Sequence, residues 1–209
     1  MGPEQVVMID VSSEVVLEGR LGLSQGARAG LVVCHPHPLY GGDMDNPVVV
    51  RAVEVAHEEG IGTLRFNFRG VGGSTGVHAQ GEGEQADLRA VMARMRLQLS
   101  PGCKMAILGY SFGAWIAALV AAGESIDALG LIAPPIAMIE FGPLADRNQD
   151  ILLAAGTRDT YCPAPALQAM TDRTPGARAV IVDGADHFFF GKLFPLGEAI
   201  REWARRWAA

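Results

Sequence analysis

The pentapeptide Gly109-Tyr110-Ser111-Phe112-Gly113 joins two apolar runs, KMAILG before it and WIAALVAA after it. The first reads as a strand and the second as a buried helix, so Ser111 stands on a sharp strand-to-helix turn. Such a turn forces its central residue into a strained backbone region, and small neighbours must flank it so that strand and helix can approach. Gly109, Gly113 and Ala114 meet that need. The hydroxyl of Ser111 is then held up at a helix N-terminus, where free N–H groups and the helix dipole favour developing negative charge. The chemistry this suits is nucleophilic attack on an acyl carbon.

A serine hydroxyl is a weak nucleophile without a base. Of the five histidines, His187 follows the strand-like run ARAVIVDG and lies after the serine in the chain. His57 falls mid-helix beside Glu58 and Glu59 and reads as part of a solvated face, and His78 has no role that the sequence assigns. The base needs an orienting carboxylate. Asp159 follows the run DILLAAG and lies between Ser111 and His187. Asp183 and Asp186 are rivals by proximity alone, and proximity is weak because neighbours on a strand point to opposite faces.

The segment His35-Pro36-His37-Pro38-Leu39-Tyr40-Gly41-Gly42 follows the short apolar run GLVVC. A tetrahedral oxyanion needs two N–H donors, and the residue after the nucleophile, Phe112, is positioned to give one. The second is expected from this loop. Pro36 and Pro38 have no N–H, which leaves His37, Leu39 and Tyr40 as alternatives. His35 and His37 also have the spacing of a metal pair, but no third ligand lies at a suitable distance in the chain. The glycine-rich stretch RGVGGSTG over 69–76 lacks both the GxGxxG and the GK[ST] nucleotide signatures, and reads as a loop near the mouth of the site.

The elements that must carry these residues alternate. Strand patterns fall at 5–10, 14–17, 30–34, 63–68, 104–109, 128–133, 150–155 and 177–182. Helical patterns fall at 47–59, 84–99, 112–122, 164–172 and 195–208. This alternation predicts an α/β fold, a doubly wound and mostly parallel sheet with helices on both faces and right-handed crossovers. Ligands then bind beyond the C-terminal ends of the strands, and each candidate above directly follows a strand. Only 17 residues, 134–150, separate two of the strands after the serine, too few for a cap domain. Phe188, Phe189, Phe190 and Tyr40 are available to wall the site, with at least two of them expected in the core.

Composition narrows the class. The 209 residues suit a single domain over 1–209, and 49% hydrophobic against 19% charged residues excludes a disordered chain. The net charge of -6 and the absence of a basic cluster argue against nucleic acid or an anionic membrane as partner. Cys34, Cys103 and Cys162 form no CxxC pair, and the N-terminus lacks the basic and apolar regions of a signal peptide, so a cytoplasmic location is expected. A homodimer is left open.

The blocks CHPHPLYGGDMDNPVV, LRFNFRGVGGSTG, LGYSFGA, GTRDTYCP and GADHFF, with the chain order Ser, Asp, His, resemble the α/β-hydrolase superfamily over essentially the whole chain. Within it the sequence is similar to small, lidless bacterial serine hydrolases of the dienelactone-hydrolase and short acyl-esterase branch. The resemblance implies Ser111 as nucleophile, Asp159 as acid and His187 as base, with no metal and no organic cofactor. Dienelactone hydrolases carry cysteine where Ser111 stands, which argues against that particular activity. The expected reaction is hydrolysis of small carboxylic esters, or of esters with exposed acyl groups, through an acyl-enzyme. The same residues would also serve a thioesterase, an amidase or an acyltransferase, and the fold alone could serve a non-catalytic binding protein.

Overall fold

The computed structural model describes residues 4–23, 26–142, 144 and 149–209. Its strands are β1 (Gln5–Asp10), β2 (Val16–Gly22), β3 (Ala29–Cys34), β4 (Gly62–Phe66), β5 (Lys104–Tyr110), β6 (Ala128–Ile132), β7 (Asp150–Gly156) and β8 (Ala177–Val182). They form one sheet in the order β1-β2-β4-β3-β5-β6-β7-β8. The β1–β2 and β2–β4 pairs are antiparallel and every later pair is parallel. The helices are α1 (Pro47–Glu58), α2 (Glu82–Arg96), α3 (Phe112–Ala121), α4 (Ala164–Asp172) and α5 (Leu193–Ala208).

The sheet is covered on both faces, which explains why its central strands read as unbroken apolar runs rather than as alternation. Along β3, Val32 and Cys34 point to a core shared with α2, α3 and α4. Leu31 and Val33 point to the other core, shared with α1 and α5. This is the two-residue period of a strand sorting side chains between two layers. All four are fully buried, and burial of such a side chain stabilises by about 1.5–3 kcal/mol. In α5, Trp203 seats its ring in the second core and donates its indole N–H to the Asp150 carbonyl at 3.0 Å.

The chain order fixes where a ligand belongs. From β3 the chain winds outward to β4 on one side, then crosses back to β5 on the other. The crevice at the C-terminal ends of β3 and β5 is therefore the switch point of the sheet. The loop beginning at His35 leaves one strand there, and Ser111 leaves the other.

Several boundaries differ from the sequence expectation, most of them by one or two residues, and those of β2, β4 and α2 have a local cause. β2 runs to Gly22 rather than stopping at residue 17, with Leu17 and Leu21 buried and Gly19 between them masking the alternation. β4 stops at Phe66, and beyond it one more N–H reaches β2 before the next turns to a side chain. Asn67 donates to the Glu18 carbonyl and Phe68 donates to His35 Nε2. α2 starts at Glu82 and ends at Arg96, and residues 97–99 close it with turn bonds ahead of Pro101. Between β6 and β7 no described residue forms a helix, and the chain there is too short for a cap. No helix among the described residues is long and apolar enough to cross a membrane.

Candidate active site

Ser111 has φ 54° and ψ −115°, a region that residues with a side chain rarely enter. The fold holds it there from both sides. Its N–H donates to the Ile132 carbonyl of β6 at 2.9 Å. A Cβ at Gly109 would collide with the Gly113 carbonyl, and one at Gly113 would stand 2.6 Å from the carbonyl oxygens of Cys34 and His35. Both glycines are thus demanded by the close approach of β5, α3 and the end of β3.

The three residues that the sequence singled out meet at the C-terminal edge of the sheet. Ser111 Oγ lies 3.0 Å from His187 Nε2. His187 Nδ1 lies 2.9 Å from Asp159 Oδ2 and 3.0 Å from Oδ1. A carboxylate only accepts, so Nδ1 carries the proton and Nε2 turns its lone pair to the serine hydroxyl. Asp159 is buried, and its Oδ1 also accepts the N–H groups of Tyr161 and Cys162, each at 2.9 Å. The rivals are elsewhere: Asp186 caps its own turn through the Phe188 N–H at 3.0 Å, and Asp183 is exposed.

Two backbone N–H groups are candidates for the oxyanion donors. Phe112 is the first residue of α3, and no described group accepts its N–H. In the loop after β3, Leu39 donates its N–H to His37 Nδ1 at 3.2 Å and Tyr40 donates to the His37 carbonyl at 3.1 Å. Both are engaged within their own 3₁₀ turn, Pro38–Tyr40. The N–H of His37 has no acceptor among the described residues, and its ring lies 4.8 Å from that of Phe112. Of the three alternatives, His37 is the one whose N–H has no acceptor among the described residues.

His35 is spoken for. Its Nδ1 lies 2.6 Å from the Pro36 carbonyl and its Nε2 accepts the Phe68 N–H at 3.0 Å. Burial pushes its pKa down to about 4, so it is a neutral strut between the loops after β3 and β4. With both nitrogens engaged it has no lone pair to give a metal ion, and no group of three candidate ligands occurs among the described residues.

Several neighbours of the candidate site escaped the sequence reading. The buried Tyr110 hydroxyl donates to the His187 carbonyl at 2.9 Å, tying His187 to the strand that ends at Ser111. A hydroxyl at the end of an otherwise apolar strand was the available signal, since a buried tyrosine seeks a partner. His78, unassigned from sequence, packs its ring 5.0 Å from His37 and 5.5 Å from Phe112. Its Nδ1 stands 2.9 Å from the fully buried carboxylate of Glu84, which also accepts the N–H groups of Ala79 and Gly81 at 2.8 Å. Burial and the neighbouring His78 both lower the pKa of His37. The glycine-rich loop 69–76, expected at the mouth of the site, is instead tied to β2, with the Thr75 N–H donating to the Val16 carbonyl and the Glu18 N–H to Ser74 Oγ, and Arg69 clamps it to α2 through Asp87 at 2.7 Å. Of the aromatics expected at the wall, only Phe189 is core. Its φ of 55° turns it inward, while Phe188, Phe190 and Tyr40 stay exposed.

A cavity of about 600 Å³ lined by Arg96, Leu99, Cys103 and Asp127 opens at the opposite edge of the sheet, by the start of β5. It holds no bonded nucleophile and base, so the crevice at Ser111 is the better candidate.

Comparison with known proteins bears on the family and the fold. The family model described as "Alpha/beta hydrolase domain" matches residues 27–193. An uncharacterized protein of Rickettsia prowazekii (strain Madrid E) is 34% identical over 198 residues, covering 90% of this chain and 83% of the relative. A solved structure from Xanthomonas campestris, described as an a/b serine hydrolase without lid, is 31% identical with a TM-score of 0.90. It covers 100% of this chain and 96% of that one. An alpha-beta serine hydrolase homologue from Coxiella burnetii is 33% identical with a TM-score of 0.88, covering 97% and 98%. Sheet order, strained serine and family model lead to one conclusion: the chain belongs to the alpha/beta hydrolase domain family.

Proposed function

We propose that this protein is a serine hydrolase that cleaves carboxylic esters through an acyl-enzyme on Ser111. The observation that carries the reading is the unbroken relay from Ser111 Oγ to His187 Nε2 at 3.0 Å and from His187 Nδ1 to Asp159 at 2.9 Å. In the first half-reaction His187 takes the hydroxyl proton as Ser111 Oγ attacks the carbonyl carbon. The N–H groups of Phe112 and His37 stabilise the oxyanion. The tetrahedral adduct collapses, the C–O bond breaks, and His187 delivers its proton to the departing alcohol. Water, deprotonated by His187, then attacks the acyl-enzyme and releases the acid and Ser111. Asp159 holds the tautomer and stabilises the imidazolium. The nucleophile, the base and the two N–H groups suffice for acyl transfer without a metal or an organic cofactor.

The short segment between β6 and β7 supports an open site suited to small acyl groups or to acyl groups exposed on a larger molecule. The proposal takes residues 1–209 as one catalytic domain, supported by a single sheet that includes every described strand. It places that domain in the cytoplasm, with Cys34, Cys103 and Cys162 as free thiols. The test compares kcat/KM for an ester, a thioester and an amide of one acyl group. The ester is expected to lead, and Ser111→Ala is expected to lose about 10⁴-fold or more on it. A thioester turned over far faster than its ester would reassign the substrate class. Undiminished turnover in the variant would remove Ser111 from the mechanism.

A further inference from the structure

His187 carries the proton that the leaving alcohol must receive, so the alcohol's oxygen has to come within hydrogen-bond reach of Nε2. What surrounds His187 therefore meets the alcohol half of the substrate, not the acyl half. Its imidazole is flanked by the ring of Tyr161, 4.7 Å away between centroids, and edge-on by Phe188 at 5.6 Å. Phe190 continues the surface 5.7 Å beyond Phe188. Tyr161 is 41% exposed, Phe188 55% and Phe190 76%, although rings of this size are usually buried in the core. Met138 joins them. Its loop is tied to Tyr161 by the Ala137 N–H, which donates to the Tyr161 carbonyl at 3.0 Å, and its own side chain is 68% exposed. The loops after β6, β7 and β8 thus present an apolar shelf beside the base.

The backbone at these positions is firmly held, so the shelf is formed before substrate arrives. The Tyr161 N–H is fixed on Asp159, the Phe188 N–H on Asp186, and the inward-turned Phe189 locks the strip between the two exposed phenylalanines. The opposite flank, next to His37 and Phe112, carries the imidazoles of His37 and His78, with the exposed ring of Tyr40 4.7 Å from that of His37.

We propose that Tyr161 and Phe188, extended by Phe190 and Met138, form the leaving-group subsite, and that it selects esters of bulky apolar alcohols, aromatic ones above all. The inference rests on the ester hydrolase reading and deepens it. It places selectivity in the alcohol, while the acyl group stays small or exposed. A phenyl ring laid on this shelf gains aromatic contact worth about tenfold in kcat/KM over a methyl group. The gain belongs to acylation, where the alcohol is still present. Once the acyl-enzyme has formed the alcohol has left, so acetates limited by deacylation share one kcat.

The experiment uses the whole protein and two ester series. The first keeps the acetyl group and varies alcohols of similar acidity: methyl, cyclohexylmethyl and benzyl acetate. The second keeps methanol and varies the acid: methyl acetate, methyl cyclohexylacetate and methyl phenylacetate. Expected is a rise in kcat/KM of about tenfold from methyl to benzyl acetate, with a much smaller spread in the second series. In Phe188→Ala and Tyr161→Ala the benzyl-to-methyl ratio is expected to fall toward one, and Tyr161→Phe should restore it. The ratio is the readout because general damage to His187 would slow both esters alike. A preference that follows the acid series, or a ratio unmoved by both alanine variants, would overturn the subsite while the ester hydrolase reading stood. Absence of turnover across both series would overturn the two together.

Discussion

Asp159→Asn isolates the electrostatics of the relay from its shape. In the native site Asp159 Oδ1 accepts two backbone N–H groups, from Tyr161 and Cys162, while Oδ2 faces His187 Nδ1. Asparagine has one oxygen and one NH₂ in the same volume. Two fixed amide donors at 2.9 Å require the oxygen, so the NH₂ must turn toward the imidazole. Nδ1 then becomes the acceptor and the ring proton moves to Nε2, where it meets Ser111 Oγ instead of a lone pair. The contacts survive and the base is blocked. Loss of a correctly tautomerised base costs about 10⁴ in kcat, or about 5.5 kcal/mol of transition-state stabilisation. Every hydrogen bond around residue 159 keeps a donor and an acceptor, so unfolding stability should change by less than about 1 kcal/mol. The assay pairs steady-state turnover of an ester with urea unfolding. Turnover within tenfold of the native protein, at equal stability, would refute both the tautomer argument and the role of Asp159.

Three further outcomes follow from the same contacts. Gly113→Ala drives a methyl group to 2.6 Å from the Cys34 and His35 carbonyls. A stability loss of about 1–3 kcal/mol is expected in urea unfolding, with a fall in kcat as α3 and the oxyanion loop move apart. Tyr110→Phe leaves the buried carbonyl of His187 without its donor, which should cost about 1–3 kcal/mol by thermal unfolding and slow turnover through a looser base. His35 sets a pH dependence of stability. Burial lowers its folded pKa to about 4 from an unfolded value near 6.5, so between these values the unfolded chain binds a proton that the fold refuses. Stability is then complete above about pH 6.5 and declines as pH falls toward 4, by about 2 kcal/mol between pH 7 and pH 5. Equal urea midpoints at those two pH values would contradict a buried neutral imidazole.

The sequence reading carried furthest where local physics decides the structure. β3, β5 and α3 are apolar on every side because the sheet is covered twice, and their limits were legible to within a residue or two. Gly109 and Gly113 identified the turn because only a residue without a side chain fits between β5, α3 and the end of β3. The donor in the loop after β3 was not legible. The choice among His37, Leu39 and Tyr40 depends on which N–H groups the 3₁₀ turn consumes internally, and residue types do not reveal that. His78 was equally silent, since its place beside His37 depends on Glu84, a buried carboxylate in the next helix. The aromatic strip was half read. Phe188, Phe189 and Phe190 look alike in sequence, and a single positive φ at Phe189 separates core from surface.

The central claim is that Ser111 is an activated nucleophile. Labelling with a fluorophosphonate probe tests it most directly, read by intact mass and peptide mapping, with Ser111→Ala alongside. The geometry of Ser111, His187 and Asp159 predicts one adduct, located on Ser111 and lost in the variant. A folded protein that takes up no label, or an adduct that persists in Ser111→Ala, would contradict it.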